Sequence, residues 1–256
     1  MLRSMLNLLA VIIPPLLAIY FAVTFRSKLN SRDATVLIVA FLISLLTVVF
    51  AFMVKYVAGQ LGFKAETGDY SAVSNILFTN LTYAFFSGFV DEFCKYIVIA
   101  AYAYRRKEFD EPLAGIFVTI MIAMGFTTME NIIHIFMQDS YVDTWRMLIN
   151  IPVSICLAIV MGYFAGMSKY GLDSDDLSSM GLRMRSLFLA SLFHAFYTFF
   201  LFLNDYKSVM TLMIIAGLIL LVQVGLNIFR ARRLHVRLMY SRSRRSKQAY
   251  DNPFSS

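Results

Sequence analysis

The stretch "GFVDEFCKY", residues 88–96, sets Asp91, Glu92 and Lys95 inside an apolar run that extends from Leu77 to about Tyr104. An ionisable group at the centre of an apolar helix costs about 2.5–3.5 kcal/mol even on lenient insertion scales, so such residues are expected to be paired or functional. On a helix that advances about 100° per residue, Lys95 lies about 40° and Glu92 about 100° from Asp91, and one face presents two carboxylates and an ammonium. An Asp91–Lys95 ion pair at i, i+4 would account for two of the three and leave Glu92 over. A second stretch, "GFTTMENIIH", adds Glu130, Asn131 and His134, with Glu130 and His134 on one helical face. A third, "SLFHAFYTFF", adds His194 in an aromatic surround. A lone histidine in such a place is usually a core hydrogen-bonder. Carboxylates and imidazoles on three separate apolar segments are instead the set that activates water or binds a metal.

The elements that must position these groups follow from composition. Hydrophobic residues make up 59% of the 256-residue chain and charged residues 15%, against roughly 25% charge in a soluble domain. Seven apolar segments, about 5–25, 34–58, 73–104, 113–136, 147–168, 186–204 and 208–229, predict an all-α, polytopic membrane helix bundle. The bundle would occupy residues 1–229, followed by a basic tail at 230–256 that is disordered in part. Pro14 and Pro15 in mid-segment predict a retained first helix that is kinked or broken. Alternate loops divide the lysines and arginines 17 to five, with Lys95 the remaining one of 23. Cytoplasmic loops carry the excess, which puts the N-terminus outside and the C-terminus in the cytoplasm. The five are Arg3, Lys55, Lys64, Arg146 and Lys207. The net charge of +7 resides in the tail, which suits anionic lipid headgroups rather than nucleic acid. Cys94 and Cys156 lie in different apolar segments and predict no disulfide framework.

The motifs "DEFCK", "FTTME" followed by Asn131, the glycine-bearing "MGYFAG" and "HAFYT" resemble, in order and spacing, those of the PrsW family of intramembrane proteases. That family is similar in turn to the CAAX prenyl-protein endopeptidases. It is marked by an E-E-x-x-K motif, an F-x-x-x-E motif and two later histidine motifs. Phe126 and Glu130 match the second in full. The first reads Asp91-Glu92 where the family has two glutamates, Ser154 stands where a histidine is expected, and Thr198 stands where Asn or Asp is frequent.

The resemblance implies an endopeptidase that cleaves membrane-anchored protein substrates, with Asp91, Glu92, Lys95, Glu130 and His194 as catalytic residues and Asn131, His134 and Ser154 as further candidates. Peptide hydrolysis needs a base for water and a donor or electrophile for the oxyanion. Glu130 and His194 could hold a zinc ion if Asp91 or Glu92 joined them, since catalytic zinc takes three protein ligands. Alternatively, His194 could donate to the oxyanion without metal. The departures at Asp91, Ser154 and Thr198 keep a catalytically inactive scaffold for transmembrane partners as an alternative. An ion- or proton-coupled carrier is a third, disfavoured by the absence of repeated halves. Short loops fit a bacterial cytoplasmic membrane. Measured from the segment ends at 1.5 Å per residue, Glu92, Glu130 and His194 would lie about 20, 26 and 14 Å from the cytoplasmic side, at unequal depths.

Overall fold

The computed structural model describes residues 2–28, 35–64, 73–137, 141–170, 176–202 and 207–251. Among these residues are seven α-helices: α1 (Leu2–Lys28), α2 (Thr35–Gln60), α3 (Val73–Ala101), α4 (Pro112–Met137), α5 (Tyr141–Tyr170), α6 (Asp176–Phe202) and α7 (Lys207–Asp251). Between α3 and α4 lies a single 3₁₀ turn, Ala103–Arg105. Six of the helices are long and apolar enough to cross a membrane. The exception, α3, is 29 residues long and is the helix that carries Asp91, Glu92 and Lys95. The chain is an integral membrane protein built as a polytopic helical bundle.

At the centre stands α4, with 18 of its 26 residues buried, whereas α7 at the edge buries only Val224, Asn227 and Ala231 among its described side chains. α4 packs against α1, α2 and α5, while α3 packs mainly on α6 and α2. Between helices in lipid, where hydrophobicity supplies little drive, close approach through small residues takes its place. Two glycines set the approaches that matter. A Cβ on Gly162 would lie 2.8 Å from Ile116 Cα, so α5 is seated directly on the α4 backbone, and a Cβ on Gly88 would lie 2.9 Å from Ala195 N, so α3 touches α6 one residue from His194.

Several element boundaries differ from the sequence expectation. α1 is continuous through Pro14 and Pro15. The boundary drawn at 229/230 falls inside α7, which at 45 residues is about 67 Å long, over twice the roughly 30 Å of the hydrocarbon core. Its second half therefore projects beyond the bilayer and exposes Arg230, Arg232, Arg233 and Arg237. Arg26, Lys28, Arg32, Lys207 and the tail from Arg242 onward lie outside the described side chains. α6 begins at Asp176, about ten residues before the apolar segment does. The guanidinium of Arg183 rests over Tyr104 at 4.9 Å, and Tyr104 hydrogen-bonds Ser168 at 2.8 Å. These contacts place α3, α5 and α6 in register at one end. His194 is then about 16 Å along α6 and Glu92 about 18 Å along α3 from that layer. The unequal depths expected for these two groups arose from starting α6 too late: hydropathy detects only the apolar part of a helix whose first turns stand outside the membrane.

Candidate active site

The C-terminal part of α2, the middle of α3, the second half of α4, the start of α5 and the end of α6 meet at the bundle end away from Tyr104 and line a cavity of about 850 Å³. That volume falls in the range of small-molecule and peptide sites. Asp91, Glu130, His134 and His194 all contribute to its wall, as do Lys55, Arg146 and Asn150.

The charges of α3 pair differently from the i, i+4 expectation. Lys95 donates to Glu92 Oε1 at 2.6 Å, an i, i+3 contact. The same oxygen meets His194 Nδ1 at 2.8 Å. Asp91 takes its partner from another helix: Lys55 Nζ lies 2.7 Å from Oδ1 and 3.0 Å from Oδ2. The cause is geometric, because Asp91 points toward α2 while Glu92, 100° further round, points toward α6 together with the long Lys95 side chain. Phe126 explains the aromatic position of the F-x-x-x-E motif, since the Lys95 ammonium sits 4.8 Å over its ring, a cation–π contact made in a desolvated setting. Glu92, 1% exposed, is thus enclosed.

Glu130 is held from α5. Asn150 Nδ2 donates to its Oε2 at 2.9 Å. Behind Asn150 stands Ser154, whose hydroxyl lies 3.5 Å from Asn150 Oδ1 and accepts from Thr127 at 3.0 Å. Ser154 therefore backs the residue that touches Glu130 and is itself buried away from the cavity wall. Asn131 is fully buried and donates to the Ala10 carbonyl at 2.7 Å, tying α4 to α1. The His134 ring packs edge-on against Phe52, with centroids 5.6 Å apart. Thr198 lines the cavity.

Three residues of the site are absent from the motif reading. Lys55 and Arg146, assigned above to outer loops, lie within α2 and α5 in the cavity wall, and Arg146 donates to the Leu201 carbonyl at 2.8 Å. Both carried a signal, a cation within four residues of the end of a long apolar run, which is equally what a snorkelling interfacial residue shows. Asn150 could have been found as the i−4 neighbour of Ser154 on the same face.

Taken together, the fold and site define a polytopic helical membrane protein with carboxylates and imidazoles gathered on one cavity. The family model described as "PrsW family intramembrane metalloprotease" matches residues 32–224, and the chain belongs to this family. Relatives include Protease PrsW of Clostridioides difficile, 29% identical over 149 residues covering 56% of this chain and 61% of the relative. Protease PrsW of Bacillus subtilis is 28% identical over 115 residues, 45% of this chain and 51% of the relative. That of Geobacillus kaustophilus is 29% identical over 83 residues, 32% and 37% respectively. The chain thus spans between about a third and three fifths of the length of these relatives. No solved structure matches.

The family's description implies a metal. A catalytic zinc takes three protein ligands. Among the described residues no three His, Cys, Asp or Glu side chains gather closely enough to hold an ion. Glu130 and His194 share the cavity, but the two carboxylates that would complete a set are each bound to a lysine ammonium. These residues do not fit a preformed three-ligand metal centre, and no step of the chemistry below is routed through one.

Proposed function

We propose that the chain is an intramembrane endopeptidase that hydrolyses a peptide bond of a membrane-anchored protein within this cavity. The observation that carries the reading is the convergence of Asp91, Glu130 and His194, from α3, α4 and α6, on one cavity. Glu130 is the base: one of its oxygens is fixed by Asn150, and it has no lysine bonded to it among the described residues. A water held against it loses a proton to the carboxylate and attacks the scissile carbonyl. Glu92 orients the His194 imidazole through Nδ1, as the carboxylate of a catalytic triad orients its histidine. The other ring nitrogen is then the group that hands a proton to the departing amine. Lys95, seated over Phe126, holds Glu92 in place.

The cavity lies at the bundle end away from the basic loops, which supports cleavage in the non-cytoplasmic half of a cytoplasmic membrane, a reading in keeping with the bacterial sources of the relatives. The exposed arginines of α7 would meet anionic headgroups on the opposite side. A non-catalytic scaffold is the second reading, favoured by the ion-paired state of Asp91 and the non-ligating Ser154.

Purified protein in nanodiscs, incubated with a panel of single-span membrane proteins and followed by mass spectrometry of the fragments, separates the two. Site-specific cleavage that Glu130→Gln abolishes supports the protease. Binding of a partner without cleavage, unchanged by Glu130→Gln, supports the scaffold. A reporter active only outside the cytoplasm, fused after Lys247, should be silent, and activity there would overturn the orientation.

A further inference from the structure

Lys55 has no place in the family's motifs as they stand in this sequence, yet it occupies the wall of the cavity beside the reacting groups. Its ammonium is gripped by both oxygens of Asp91 at 2.7 and 3.0 Å and lies 5.3 Å over the ring of Phe52 one turn earlier on α2. The side chain keeps 15% of its surface exposed, against 4% for Asp91, and both residues line the cavity. Glu130, within electrostatic range of the same ammonium, lines the same cavity. A positive charge is thus fixed on Asp91 in the wall that Glu130 also lines, and among the described residues the donor set for a divalent ion there is incomplete.

Resting on the protease reading above, we propose that Lys55 is a catalytic residue and the site's resident cation: held by Asp91, it stabilises the oxyanion formed on the scissile carbonyl. An ammonium has three donors, of which Asp91 engages at most two. When water attacks, the oxygen–carbon bond forms, the carbonyl π pair moves onto oxygen, and the proton of the water passes to Glu130. The Lys55 N–H donates to that oxyanion and stays protonated throughout. As the tetrahedral species collapses, the C=O bond reforms, the C–N bond breaks and the amine leaves with a proton from His194, which regains one from Glu130. The shorter Asp91 acquires a reason on this account: its carboxylate is a holder for a cation carried by α2 rather than a ligand or base in its own right. A purely structural α2–α3 ion pair would need no place in the cavity wall, which both residues share.

The test uses the full chain in nanodiscs with a single-span substrate identified by the cleavage panel, and separately with zinc alone. Lys55→Met should lower kcat about 100- to 1,000-fold, the scale of losing one oxyanion donor, with KM little changed; Lys55→Arg should recover part of the rate. Since Lys55→Met leaves Asp91 uncompensated and could unfold the protein, the deciding variant is Lys55→Met/Asp91→Asn, which replaces the pair by neutral groups of similar size. It should fold and remain slow. Recovery of wild-type turnover in that double variant would overturn the proposal, because a structural pair is replaceable in this way. In the second arm, wild-type protein dialysed against zinc should retain well under one ion per chain by elemental mass spectrometry, and Lys55→Met should gain zinc. About one zinc retained by the wild type, and lost together with turnover on chelation, would also overturn it. A wild type that cleaves nothing in the panel sinks the protease reading, while the zinc arm still decides whether Lys55 holds the cation position.

Discussion

Among the described residues two buried glutamates each meet a histidine in nearly the same geometry. Glu92 meets His194 Nδ1 at 2.8 Å at the cavity end, and Glu111 meets His235 Nδ1 at 3.0 Å at the other end. In both, the carboxylate is 1% exposed. Around the first lie a cavity of about 850 Å³, further acids and a lysine. Around the second the helices are packed tight: Gly166 admits Pro112 so closely that a Cβ would sit 2.7 Å from its Cα, and Ala231 and Asn227 on α7 are fully buried. The second pair pins the projecting half of α7 to the start of α4. On the proposed reading the same chemistry serves reaction at one end and clamping at the other, and the difference is the empty space beside it. A buried acid–imidazole pair is a functional signal only where a substrate can reach it.

Four substitutions sharpen this comparison. The largest effect on activity is expected from Glu130→Gln, which keeps shape and the Asn150 contact but removes the base; kcat should fall by about 10²–10⁴-fold, read by fragment release, with little change in thermal midpoint. Next, Glu92→Gln should act on both folding and turnover, since it leaves the buried Lys95 ammonium without its carboxylate. Breaking a buried pair from one side costs about 3–5 kcal/mol, visible as a lower unfolding midpoint in detergent, and adding Lys95→Met should restore part of that stability. Asn150→Ala removes the amide that fixes Glu130 and should lower kcat by up to about 100-fold, the scale of a positioning error of about 1 Å, while the midpoint moves little. The smallest catalytic effect should come from Glu111→Gln. Turnover should stay within a factor of about two of wild type, while stability falls by about 1–3 kcal/mol and α7 becomes more open to limited proteolysis beyond Arg230. If Glu111→Gln impaired cleavage as strongly as Glu92→Gln, the distinction between a reacting end and a clamping end would be lost.

The sequence by itself determined the class of fold and the chemical types at the site. Apolar runs of helical length force hydrogen bonding within each segment, because lipid offers the backbone no partners, and this made the seven helices legible within a few residues at most ends. The cost of a charge in such a run made Asp91, Glu92, Lys95, Glu130 and His194 visible as residues with a purpose, and the motif spacing pointed to the family. Tertiary structure alone decided the partners. Spacing along one helix favoured Asp91 with Lys95, but side-chain direction gave Lys95 to Glu92 and left Asp91 to Lys55 on a neighbouring helix. Asn150 on Glu130, Ser154 behind Asn150 and the fixation of Asn131 on α1 were equally hidden. Periodicity tells which residues share a face of one helix; which helix that face meets, and whether a cavity or another backbone lies between them, depends on how closely glycines such as Gly88 and Gly162 let the helices approach.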